Sequence, residues 1–161
     1  MDPRNWFRAA RADEAAPERA FFLFDEGVRH GYETWLGVRT LPKLDHRSPE
    51  LRRRLADGPT SVVQSWLREP FGLDGWRIDV ANMTGRYRDV DVTLDVAAAV
   101  RGAVVEARGD GLLIAEHGHD YRADLRGDGW QGVMNYMGFL RPVWAWLRGE
   151  RLPAELAEGF L

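Results

Sequence analysis

Cysteine is absent from the chain, which removes disulfides and thiolate-held metals from consideration and fits a reducing cytoplasm. Lysine is almost absent too: Lys43 is its single occurrence, and every other basic side chain is arginine. There is no excess of positive charge, because 25 acids outnumber 22 bases for a net charge of -3. The one-sided basic field that a phosphate backbone demands is therefore not built here. No apolar run approaches the roughly 20 residues of a membrane-spanning helix, and the opening Met1-Asp2-Pro3-Arg4-Asn5-Trp6-Phe7 has no apolar signal core. These absences predict a cytoplasmic protein that engages neither nucleic acid nor membrane.

What remains is enough for a packed domain. The 161 residues are 45% apolar, and seven tryptophans are many for an acidic chain of this length. Core packing accounts for most large aromatics, although their flat faces are also what sugar rings stack on.

Along the chain, residues 1–20 are polar and alanine-rich, broken by Pro3 and Pro17, and read as irregular structure with one short helix. Phe21-Phe22-Leu23-Phe24 predicts a short strand or docking segment, followed by an aromatic loop from Tyr32 to Asp45. Ser48-Pro49 is a helix start, since serine caps and proline presets φ, and Gly58-Pro59 is its stop. A second helix is expected over 60–69, with Val62, Val63, Trp66 and Leu67 on one face. From there strands and helices alternate: strand 76–80, helix 93–108 closed by Gly109, the apolar strand 112–116, a strand within 130–136, and a helix from Arg141-Pro142. That order predicts an α/β fold with parallel strands joined by crossovers.

In parallel α/β folds, reactive side chains gather at the C-terminal ends of strands. Asp79 and Glu116 close successive strands here. Either alone is more simply a helix cap or a solvated acid; two in one α/β run point to a site. Arg77 shares the Asp79 strand face, where its positive charge favours the ionised carboxylate. Glu116 ends a dry strand, where desolvation would favour the protonated form. Carboxyls pushed apart in this way are what glycoside cleavage uses. His117, His119 and Asp120 form a short His-rich loop, read as solvated or sugar-contacting in preference to metal-binding.

The segment Asp74-Gly75-Trp76-Arg77-Ile78-Asp79-Val80-Ala81-Asn82 resembles the fourth-strand motif of the α-amylase superfamily, glycoside hydrolase family 13. Leu113-Ile114-Ala115-Glu116 resembles its fifth-strand motif, and YETWLGVRTLPKLD from Tyr32 to Asp45 is similar to the inserted domain of neopullulanase and maltogenic-amylase relatives. The resemblance implies part of a (β/α)8 TIM barrel, about strands four to six. Residues 1–58 would then be the inserted-domain segment and first helix, and 59–161 the barrel segment. It implies a retaining α-glycosidase acting on α-glucans or malto-oligosaccharides, with Asp79 as nucleophile, Glu116 as general acid/base, and carboxyls roughly 5–5.5 Å apart. Arg77 joins them as a catalytic candidate. Trp35, Tyr32, Trp76, Asn82 and His117 are candidate sugar contacts, core packing being the alternative for the three aromatics. No cofactor is called for, with calcium left open.

Two departures bear on substrate preference: Met83 stands where relatives have histidine or glutamate, and His117-Gly118 replaces an aromatic. The third-strand Asn-His and seventh-strand His-Asp motifs of the family do not occur. Strands four to six alone leave two unpaired edges and an open inner layer. The rival expectations are therefore an inactive fragment or non-catalytic binding module, with the remaining barrel as partner. Within enzymes the rival is a trehalose- or sucrose-related transglycosylase.

Overall fold

In the computed structural model, which describes residues 3–150, two of the early helices begin at serine caps. After α1 (Pro3–Ala12) and a 3-10 turn (Pro17–Phe21), α2 (Pro49–Leu55) starts with the Ser48 hydroxyl accepting from the Leu51 N–H at 3.4 Å. α3 (Val62–Leu67) repeats the device with Ser61 and Gln64. It is shorter than its periodicity predicts because Pro70 excludes Glu69 from helical backbone, and Arg68 is already extended. Between α1 and α2 the aromatic stretch is tied by single antiparallel bridges, Phe22 to Leu44, Phe24 to Tyr32 and Thr34 to Pro42. A local core of Trp6, Ala10, Phe21, Phe22 and Leu51 lies beneath them.

The sheet follows. β1 (Gly75–Ile78) leads through a small hairpin, β2 (Arg86–Tyr87) and β3 (Val90–Asp91), into α4 (Thr93–Ala107). The hairpin carries no Asn-Gly or similar turn signal and is not foreseen by the strand pattern. β4 (Leu112–His117) and β5 (Gly132–Asn135) complete it, and a π-helical turn at Tyr136–Leu140 opens α5 (Arg141–Leu147). β1, β4 and β5 are parallel with β4 in the centre. Gly75 is required at the β1–β4 crossing, since a Cβ there would meet the Leu112 carbonyl oxygen at 2.2 Å. α4 ends one residue before expected, with Arg108 extended, and Gly109 does not take the left-handed capping conformation.

Val96, Val100 and Val104 press α4 onto Leu113 and Ala115 of β4, with Val63, Leu67 and Trp130 completing the main core. Strand parity then decides the rest. Trp76, Ile78, Leu113, Ala115 and His117 face the helices, while Arg77, Leu112, Ile114 and Glu116 face the other way. Although the β4 strand is apolar nearly throughout, its second face is open: Leu112 is 59% and Ile114 39% exposed. Among the described residues no helix is long and apolar enough to cross a membrane.

Candidate active site

The parallel register pairs Arg77 with Ile114 and Glu116 with Met134, so Arg77, Glu116 and Met134 share the open face of the sheet. One arginine ties the two strand ends together. Its Nη1 binds Asp79, and its Nη2 lies 2.9 Å from Glu116 Oε2. Asp79 sits just past β1 with its side chain 76% exposed, whereas Glu116 is 22% exposed.

The next residue turns the chain. Val80, expected to extend the strand, adopts φ 45 and ψ 42, a left-handed conformation that costs a β-branched side chain energy. The turn aims the Val80 N–H at Glu116 Oε2, 2.9 Å away. Tyr136 donates its hydroxyl to the other oxygen, Oε1, at 3.1 Å. The Tyr136 phenol is pushed above its ordinary range, first by that bond to Glu116 and then by burial. Glu116 is thus held by three donors rather than seated in the dry apolar pocket its strand suggests. Tyr136 escaped the sequence reading, although it follows β5 just as Asp79 follows β1, so the strand-end rule could have found it.

A cleft of about 370 Å³ opens beside Asp79. Its walls are the stretch before α2, through Trp35, Leu41, Lys43 and His46, and the turn after β1, through Val80 and Met83. Burial pushes the His46 imidazole down to about 4, so it is neutral at ordinary pH. Lys43 and Asp79 are then the two charges of the lining.

The candidate contacts separate. Trp35 lines this cleft, and Asn82 lies on the turn after Asp79, its amide nitrogen 3.0 Å from His119 Nδ1. Three others point elsewhere. Tyr32 is 6% exposed, edge-on to Phe7, and donates to the Arg39 carbonyl. Trp76 faces the helices and donates its indole N–H to the Val63 carbonyl. His117 lies on the helix-facing side of β4, 1% exposed, with Nε2 2.7 Å from Asp124 and Nδ1 3.3 Å from the His119 carbonyl. None of the three can meet a sugar on the open face.

Asp124 also takes two contacts from Arg86, at 3.1 and 3.2 Å, and Arg86 in turn donates to the Asn82 carbonyl. Burial raises the Asp124 carboxyl, but the bonds from Arg86 and His117 outweigh it and hold the group below its ordinary value. This buried knot joins the loop after β4 to the turn carrying Asp79. Asp120 pairs with Arg122 instead of the histidines. Among the described residues no group of three or more acids or histidines is placed to hold a metal ion.

Comparison with known proteins places this geometry. The family described as "Alpha amylase, catalytic domain" matches residues 2–120. A cyclomaltodextrinase of Geobacillus thermopakistaniensis is 37% identical over 108 residues, covering 67% of this chain and 16% of the relative. Neopullulanase 2 of Thermoactinomyces vulgaris is 34% identical over 122 residues, covering 73% of this chain and 18% of that protein. This chain therefore spans under a fifth of either relative. The solved structure of a cyclic α-maltosyl-(1→6)-maltose hydrolase from Arthrobacter globiformis superposes with a TM-score of 0.77 at 24% identity, over 96% of this chain and 33% of that one. At that identity the superposition speaks for the fold.

Proposed function

Because the chain belongs to the α-amylase catalytic-domain family and is part of a (β/α)8 barrel, we propose that it supplies the carboxylate machinery of a retaining α-glycosidase. The substrates are α-glucans or malto-oligosaccharides. Asp79 attacks the anomeric carbon. Glu116 protonates the departing oxygen and then draws the proton from water, which breaks the glycosyl-enzyme bond with the anomeric configuration retained. Residues 1–58 serve as the inserted segment and 59–161 as barrel.

The observation that carries this reading is the Arg77 bridge. Two carboxylates held by one guanidinium stand close, which favours the retaining separation of about 5–5.5 Å over the wider inverting one of about 6.5–9.5 Å. Arg77 holds the Asp79 carboxylate at the end of β1, and the Val80 N–H and Tyr136 hydroxyl fix the orientation of Glu116. Trp35 and Asn82 are the sugar contacts that this arrangement leaves in place.

The test is turnover of a chromogenic α-maltoside by the purified chain. Asp79→Asn abolishes it, and azide restores release in Asp79→Ala with inversion at the anomeric carbon. Turnover that survives Asp79→Asn overturns the assignment. A second reading is favoured by the exposure of Asp79 and of the inner sheet face: the chain alone binds sugar without cleaving it, because a wet site weakens every charge interaction. Saturable maltotriose binding without turnover is its signature.

A further inference from the structure

Lys43 is the chain's one lysine, and its surroundings differ from those of the arginines. The arginines nearest the site are spent in ion pairs: Arg77 on Asp79 and Glu116, Arg86 on Asp91 and Asp124, Arg88 on Asp25 and Glu33. Lys43 makes no ion pair among the described residues. Its ammonium donates to the Met83 carbonyl at 3.3 Å, and it lines the cleft in which Asp79 is the opposite charge.

An ammonium carries three donors. The Met83 carbonyl uses one of them, across the cleft from the stretch before α2 to the turn after Asp79. The side chain is half-buried. A half-buried donor without a partner is costly, and the cleft is where such a partner would come from.

The backbone of Lys43 is fixed in advance. Its N–H donates to the Glu33 carbonyl at 2.8 Å, and the preceding Pro42 is bridged to Thr34. A held backbone spends less entropy on binding than a free loop. The remaining lining is apolar or neutral: Trp35, Leu41, Val80, Met83 and uncharged His46. One cation, one carboxylate and an indole suit a neutral, hydroxyl-rich ligand better than an anion, which Asp79 would repel.

We infer that Lys43 is a sugar-binding residue of the Asp79 cleft, donating from the stretch before α2 to hydroxyl oxygens of an oligosaccharide. Burial also lowers the affinity of this ammonium for its proton, with Glu33 opposing. This inference rests on the sugar-cleft reading above, and the experiment separates the two.

The purified chain is first titrated with maltotriose by tryptophan fluorescence, then acylated with a limiting amine-reactive ester with and without saturating maltotriose. A lysine-containing reference peptide in the same tube controls for reagent loss, and labelling of Lys43 is read by peptide mass spectrometry. Maltotriose should slow Lys43 acylation at least about threefold while the reference peptide reacts unchanged. Lys43→Met, which keeps the length and removes the donors, should weaken maltotriose binding by about tenfold or more, with Lys43→Arg in between.

Saturable binding with unprotected Lys43 overturns the inference and leaves the sugar cleft standing. Absence of any maltotriose binding overturns both. The labelling uses the unmodified chain, so it holds even if a Lys43 variant folds poorly.

Discussion

Replacing Asp124 by alanine should destabilise the protein by about 3 kcal/mol. The carboxylate is buried, its side chain 6% exposed, and receives His117 Nε2 at 2.7 Å and Arg86 at 3.1 and 3.2 Å. Breaking a fully buried pair leaves an uncompensated charge worth about 3–5 kcal/mol. Arg86 is 36% exposed and keeps Asp91 and the Asn82 carbonyl, so the lower end applies on that side. His117 has no such relief, and an orphaned buried ring nitrogen adds about 1–3 kcal/mol. Allowing for overlap, about 3 kcal/mol remains, which for a chain of this size lowers Tm by roughly 6–12 °C. Thermal unfolding followed by circular dichroism reads it directly. The pH dependence supplies a second check. The Asp124 carboxyl is lowered in the fold, so its contribution is complete above the ordinary value of about 3.8 and is lost as pH falls through the lower folded value. The gap between wild type and Asp124→Ala should be full near neutrality and close in acid. A Tm loss under about 2 °C at pH 7, or a gap that persists unchanged at pH 3, would refute the account of this knot.

Other perturbations probe other links. Gly75→Ala drives a methyl into the Leu112 carbonyl and should cost about 1–3 kcal/mol by denaturant unfolding; a neutral result would mean that β1 and β4 do not cross so closely. Trp130→Ala removes the largest fully buried side chain and should cost about 3–5 kcal/mol, with loss of near-ultraviolet circular dichroism as the readout. Leu36 is 71% exposed at φ 47, so Leu36→Gly should be neutral or stabilising by up to about 1 kcal/mol, whereas glycine in an ordinary loop position would destabilise.

Much of this was legible because the strongest signals were local. Ser48 and Ser61 stand where their helices begin, and valine spacing marked the buried face of α4. The strand-helix alternation sufficed for a parallel sheet. The hairpin at 86–91 was not legible, since its Arg88-Asp89 loop lacks turn chemistry, and Arg88, at φ 48, has its guanidinium paired with Asp25 and Glu33 far away in sequence. The Arg86–Asp124–His117 knot is equally long-range, its members scattered along the chain and joined only by folding. The expectation for Glu116 failed for a related reason. A dry strand describes its neighbours in sequence, whereas its actual environment is set by an N–H from another strand end and a hydroxyl from a third.

Side-chain parity decides which of the sequence candidates can act together. Along a strand every second residue changes face, so the step that brings Arg77 and Glu116 to the open side sends Trp76 and His117 into the helix layer. Any further side chain for the proposed sugar site must therefore come from residues beyond the strands, where parity no longer binds. Trp35, Lys43 and Asn82 all lie on such segments, the first two on the stretch before α2 and the third on the turn that the left-handed Val80 creates. The same turn delivers an N–H to Glu116. Straightening Val80 would redirect the chain that follows it and carry Asn82 away from the end of β1, while Asp79, which precedes the turn, would stay with its strand. The strain at that one valine therefore bears on where the turn carrying Asn82 sits, while the contact between the two strand ends rests on Arg77.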